Sequence, residues 1–130
     1  MRIKSFLREI LAVFSIAALS CVGVANAETK VGFVYVGPIG DHGWTYRHNV
    51  GRLAVEKALG TQIKTTFVES VKEGPDSERV IRQLASTGHK VIYTTSFGFM
   101  NPTLKVAKKF PNVRFEHATG YKQSKNVGTY

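Results

Sequence analysis

Only one cysteine occurs in the 130 residues, Cys21, and it falls within an apolar stretch near the N-terminus. The rest of the chain therefore has no disulfide and no thiolate to act as nucleophile or metal ligand. Long apolar runs are scarce as well. The one pronounced run, residues 10–19 (ILAVFSIAAL), is too short to cross a bilayer as a mature helix. Acidic residues are few, nine against eighteen Lys and Arg, for a formal net charge of +9. The basic residues are scattered singly, with Lys108-Lys109 the one adjacent pair, and no basic run is interleaved with aromatics. That distribution speaks against a nucleic-acid footprint and for solvated faces of a basic exported protein. Catalytic signatures are missing too. No G-x-S-x-G turn is present, and the glycines of VGPIGDHGW match neither G-x-G-x-x-G nor G-x-x-x-x-G-K-[ST]. His42, His48, His89 and His117 have no H-x-x-x-H spacing. The expectation is a protein without metal or cofactor and without catalytic residues.

What is present begins with an export leader. Arg2, Lys4 and Arg8 form a positive head, residues 10–19 the apolar centre, and Ala25-Asn26-Ala27 a cleavage site. The expected leader spans residues 1–27, and the mature chain starts at Glu28 in the periplasm. A second processing route, cleavage before Cys21 with lipid anchoring through it, fits Ala18-Leu19-Ser20 in part and leaves a membrane-anchored lipoprotein as the alternative.

From Thr29 onward apolar strands alternate with amphipathic helices. Residues 30–36 (KVGFVYV) read as a strand buried on both faces, and residues 63–68, 91–95 and 113–115 as three further strands. Helices are expected over residues 43–59, with Tyr46, Val50, Leu53, Ala54 and Ala58 as the buried stripe, and from Gly74-Pro75 to Gly88, with Val80, Ile81, Leu84 and Ala85 inside. A third is expected from Asn101-Pro102 to Pro111, with Leu104, Ala107 and Phe110 inside. Residues 118–130 show no period. The fold class is α/β, a parallel sheet of order 2-1-3-4 with helices on both faces, one incomplete domain over residues 28–130. In such a sheet ligands bind beyond the carboxyl ends of the strands, where strand order reverses. The segments arriving there are residues 37–44, 96–101 and 117–121. They carry Asp41, Trp44, Tyr46, Ser96, Phe97, Phe99 and Asn101, and such rings with a few polar groups suit a planar heterocycle. Each has a structural alternative: Asp41 as a helix cap, Trp44 as core, Phe97 or Phe99 as plugs against the sheet. His42 and His117 are candidates to approach each other at the same edge.

Three segments, KVGFVYVGPIGDHGWTYRHNVGR, VKEGPDSERVIRQLASTG and TTSFGFMNPTLKVAKKFPNVRFEHATGY, are together similar to the basic membrane protein family of ABC-transporter substrate-binding proteins. These are purine-nucleoside-receptor-like members of the type I periplasmic binding fold. The resemblance covers nearly all of residues 30–130. It implies a two-lobed clamshell that closes on a purine nucleoside or nucleobase and delivers it to the permease and ATPase subunits of an importer, residues 28–130 being part of the N-terminal lobe. It places the family's D-x-G-[FW] segment on Asp41-His42-Gly43-Trp44, with Asp41 and Trp44 facing the ligand and Trp44 stacking on the base, Ser96-Phe97-Gly98 lining the same cleft, and Thr119-Gly120-Tyr121 near it or at the approach to the hinge. Thr45 stands where nucleoside-binding members carry asparagine, which leaves room for a free base such as adenine. Two other function classes share the fold pattern, a nucleotide- or nucleoside-processing hydrolase on a flavodoxin-like domain and a binding-protein-like sensor.

Overall fold

The computed structural model of the protein describes residues 27–130; the expected leader lies outside them but for its last residue. Five strands form one parallel sheet: β1 (Thr29–Val34), β2 (Ile63–Val68), β3 (Val91–Thr94), β4 (Arg114–His117) and β5 (Val127–Thr129), in the order β2-β1-β3-β4-β5. Three helices connect them: α1 (Trp44–Leu59), α2 (Pro75–Ser86) and α3 (Met100–Ala107). The expected order 2-1-3-4 is observed and is extended by β5. Right-handed crossovers decide which face each helix covers. The step from β1 to β2 runs one way along the sheet and puts α1 on one face. The steps from β2 to β3 and from β3 to β4 run the other way, so α2 and α3 share the opposite face, and the order reverses between β1 and β3.

The main core lies between the sheet and α2 and α3. Val34, Ile92, Phe115 and Val127 from the strands meet Val80, Ile81, Leu84, Ala85, Val106 and Ala107 from the helices. Each such large apolar side chain contributes about 1.5–3 kcal/mol on burial. α2 keeps its expected stripe, and Pro75 in its first turn with Asp76 and Glu78 marks its start.

α3 departs from expectation. It starts at Met100, after a 3₁₀ turn at Phe97–Phe99, and its N-cap is Phe99, with no side-chain cap from Asn101. Its buried residues are Met100, Thr103, Val106 and Ala107, while Leu104 and Phe110 pack at the margin. The preceding turn rotates the helix, and that rotation is set by Phe99, which is wholly buried.

The larger correction concerns α1. Val50 and Leu53 are exposed at 40% and 48%, and the buried stripe is Thr45, Asn49 and Arg52. One residue of offset turns the helix by about 100°. The polar stripe is buried because it is satisfied. Thr45 Oγ1 accepts the Gly37 amide at 3.2 Å. Arg52 donates to Asn49 Oδ1 at 2.9 Å and Thr65 Oγ1 at 2.7 Å, pairs with Glu56 at 3.2 Å, and lies 4.7 Å over the Phe67 ring. A periodicity argument assigns apolar residues to the core, and here hydrogen bonding and a cation over an aromatic face outweigh it.

β5 had no sequence signal because three residues are too few to show a period of two. What holds it is Asn126, whose side-chain amide lies 3.0–3.2 Å from the carbonyls of Ala107, Phe110 and Val113 and so closes the end of α3.

Two buried histidines make the fold sensitive to acid. His89 is 5% exposed and His117 1%, and burial lowers the pKa of both. The unfolded chain takes up these protons near pH ~6.5, whereas the folded chain resists them. The stability contributed by the neutral rings is whole above that value. It declines as pH falls through the interval down to the depressed folded pKa. The urea midpoint is therefore expected to be higher at about pH 7.5 than at about pH 5.5; equal midpoints would show that the rings titrate freely in the folded chain.

Candidate ligand-binding rim

The carboxyl ends of β2, β1, β3 and β4 deliver their following segments to one edge of the sheet, and specific contacts lace these segments together. The β1 and β2 loops are joined by the Ile39 amide on Glu69 Oε2 at 2.7 Å and the Ser70 amide on the Gly37 carbonyl at 3.1 Å. α1 and the β3 loop are joined by Trp44, whose indole N–H donates to the Thr95 carbonyl at 2.6 Å. Thr95 in turn donates through Oγ1 to the Val34 carbonyl at 3.0 Å. The β2 and β3 loops are joined by Glu73, which accepts from the Ser96 hydroxyl and, at 3.1 Å, from the Gly98 amide. With no Cβ at Gly98, the Glu73 carboxylate lies directly against its backbone. The β3 and β4 loops meet through the rings of Phe97 and Tyr121, 6.3 Å apart.

Asp41 takes the cap role. Its carboxylate accepts the amides of Gly43 at 2.8 Å, Tyr46 at 3.0 Å and Thr45 at 3.3 Å. These hydrogen bonds hold its carboxyl below the usual carboxylate range. The side chain nevertheless stays exposed at the rim, so capping and ligand contact are compatible. Trp44 is 47% exposed, so it is not core, and its ring lies 4.6 Å from that of His48. Phe97 is 57% exposed and Phe99 0%, so Phe99 is the plug and Phe97 the free ring. Tyr46 sits half-buried beside His42, 5.4 Å between rings. Asn101 accepts from Lys122 at 3.3 Å on the outer side of α3. His42 is exposed with a φ of 53°, whereas His117 is buried beneath the rim; the two do not form a shared exposed pair. Among the described residues no group of three His, Cys, Asp or Glu is placed to hold a metal ion.

Sequence reasoning missed Glu73 and His48. Glu73 had a usable signal, an acidic residue directly before the Gly-Pro that opens α2, at the carboxyl side of a strand. His48 had none, because its place is set by the rotation of α1.

A groove of about 680 Å³ lies elsewhere, on the sheet face beside α1. Val31, Phe33, Val91 and Tyr93 form its floor and Val55 and Leu59 one wall. It is the part of a doubly wound sheet that a further helix on that face would cover. The exposed carboxylates Asp41, Glu69 and Glu73 are at the rim instead.

In open parallel sheets of this kind ligands bind beyond the carboxyl ends of the strands where the order reverses, which is where this rim lies. Over residues 28–130 the chain matches the Bmp family model, described as ABC transporter substrate-binding protein PnrA-like, and it belongs to that family. It is similar to the purine-binding protein of Brucella abortus (strain 2308), at 52% identity over 122 residues, 92% of this chain and 35% of that one. It is also similar, at 39% identity over 109 residues, to a Haloferax volcanii protein provisionally named as an ABC transporter glucose-binding protein, covering 83% of this chain and 27% of that one. Among solved structures it is similar to an ABC transporter solute-binding protein of Conexibacter woesei, with a TM-score of 0.64, 22% identity, and coverage of 78% of this chain and 34% of that one. At that identity the likeness shows the fold alone. The chain spans about a third or less of the length of the curated relatives it matches.

Proposed function

We propose that residues 28–130 form one wall of the ligand cleft of an extracytoplasmic solute-binding protein that passes a purine nucleobase or nucleoside, adenine-like in shape, to the permease and ATPase of an ABC importer. In this reading the protein is exported by its leader, acts without catalysis, and closes a second lobe over the ligand. The observation that carries it is the lacing of neighbouring loops at one sheet edge: Trp44 on the Thr95 carbonyl, Ser96 on Glu73, and the Phe97 ring beside that of Tyr121. The 52% identity to a purine-binding protein supports the ligand class.

The acceptors at the rim suit a ring that presents N–H or hydroxyl donors. Asp41, Glu69 and Glu73 all stand at the rim, and the ion pairs found among the described residues engage Glu56, Asp76, Glu78 and Glu116 instead. These carboxylates share the rim's loops with Lys72 and Lys122 and offer acceptors to N–H and hydroxyl donors. A sugar is the second reading, favoured by the glucose-named relative, since an exposed indole and carboxylates also suit a pyranose.

Isothermal titration of the full-length protein against adenine, adenosine, guanosine, xanthine and glucose separates the readings. Binding of a purine without glucose binding is expected. Glucose binding alone would overturn the purine assignment, and release of free base from a nucleoside would overturn the non-catalytic one.

A further inference from the structure

Beneath the rim lies a chain of buried polar groups that the cleft itself does not use. Thr94, Thr103 and His117 are 0%, 0% and 1% exposed. Thr103 Oγ1 donates to the Phe99 carbonyl at 2.7 Å, the two threonine hydroxyls are 2.9 Å apart, and Thr94 Oγ1 is 3.0 Å from His117 Nδ1. Proton counting fixes the direction. Thr103 spends its one hydrogen on Phe99, so Thr94 must donate to Thr103, and His117 must donate to Thr94. The imidazole therefore carries a proton on Nδ1, and burial, which lowers its pKa, favours the neutral ring with Nε2 a bare acceptor. Nε2 is buried and has no hydrogen-bond partner among the described residues.

The far edge of the same ring meets the β4 loop. A Cβ at Gly120 would overlap the His117 ring, so the loop rests directly on the imidazole. Just before it, Thr119 adopts a φ of 67°, a left-handed conformation costly for a β-branched residue, and its amide is held by the Tyr130 carbonyl at 2.8 Å. The two ends of the relay thus reach the two rings of one wall. Phe99 closes the turn that displays Phe97, and Gly120 precedes Tyr121. An apolar trio would fill this volume without desolvating three polar groups, so packing alone does not account for the relay.

We propose that His117 is a positioning residue for the ligand-binding rim: its ring sets the Phe97 and Tyr121 wall by holding the Phe97–Phe99 turn through Thr94 and Thr103 and by propping the Gly120 loop. This rests on the purine-cleft reading above.

The test uses the full-length protein, with ¹⁵N-labelled imidazole spectra for the tautomer and titration with adenine and adenosine for the wall. His117 is expected to show the neutral Nδ1–H signature at about pH 7. His117→Asn, which keeps a donor toward Thr94, should hold affinity within about threefold, whereas His117→Leu should lose about tenfold or more. Gly120→Ala should lose a similar factor, and the double variant H117L/G120A should lose no more than either single one, as expected for residues acting through one contact. Thr103→Val cuts the relay without touching the ring. It should lower affinity and shift the His117 Nδ1 resonance, so it serves if H117L does not fold. An Nε2–H or doubly protonated ring, additive losses in the double variant, or H117N no better than H117L would overturn the proposal. If the wild-type protein binds none of adenine, adenosine, guanosine and xanthine, the cleft reading falls, while the imidazole spectrum still decides the relay by itself.

Discussion

Phe99→Ala is expected to destabilise the folded chain by about 3–5 kcal/mol, the cost of deleting a fully buried aromatic ring from a core that cannot collapse onto the gap. Phe99 is 0% exposed and lies in the main cluster with Ile81, Val106 and Phe115. It is also the N-cap of α3, and its amide closes the preceding turn onto the Ser96 carbonyl at 2.9 Å. Loss of the ring therefore removes core volume and the anchor that sets the rotation of α3. Since whole domains are stable by only about 5–15 kcal/mol, the variant should unfold at a much lower urea concentration, with a single earlier transition by circular dichroism. Phe97→Ala, two residues away, should leave the midpoint nearly unchanged because that ring is exposed. Equal shifts for the two would contradict the assignment of Phe99 as plug and Phe97 as free ring.

Trp44→Ala is expected to weaken purine binding by the full-length protein by about 1–3 kcal/mol, the range for stacking a base on an aromatic side chain. The indole is held by one edge, through its N–H on the Thr95 carbonyl, and is about half-exposed at the rim. Its removal leaves that carbonyl accessible to water, so the folding cost should be small relative to the binding cost. Trp44→Phe keeps a stacking face but loses the hydrogen bond that orients it, and should fall between the wild type and the alanine variant. Titration with adenine reads all three. An unchanged affinity for Trp44→Ala would remove this residue from the site, whatever the fate of its neighbours.

The two predictions separate cleanly because the rim is built in two tiers. The upper tier, Trp44, Phe97 and Tyr121, is exposed and displays rings. The lower tier, Phe99, Thr94, Thr103 and His117, is buried and holds the loops in register. Stability losses belong chiefly to the lower tier and affinity losses to the upper, with His117 and Thr103 expected to report in both.

The amino-acid sequence by itself determined the α/β class and the alternation of elements, while the order of the first four strands was expected from the usual pattern of such sheets. These follow from short apolar runs, from Gly and Pro punctuation, and from the handedness of crossovers, all of which are local or general rules. It also pointed to the edge where Asp41, Trp44, Ser96, Phe97, Gly98 and Gly120 lie, since reversal of strand order needs no side-chain detail. Tertiary structure alone decided which face of α1 is buried, because Arg52 is satisfied by Thr65 and Phe67, residues from another element. It likewise decided that Phe99 plugs while Phe97 is free, that Asn126 makes a strand of an aperiodic tail, and that Glu73 and His117 hold the rim. Those outcomes depend on partners distant in the chain, where hydrogen-bond satisfaction outweighs the local pattern that a sequence displays.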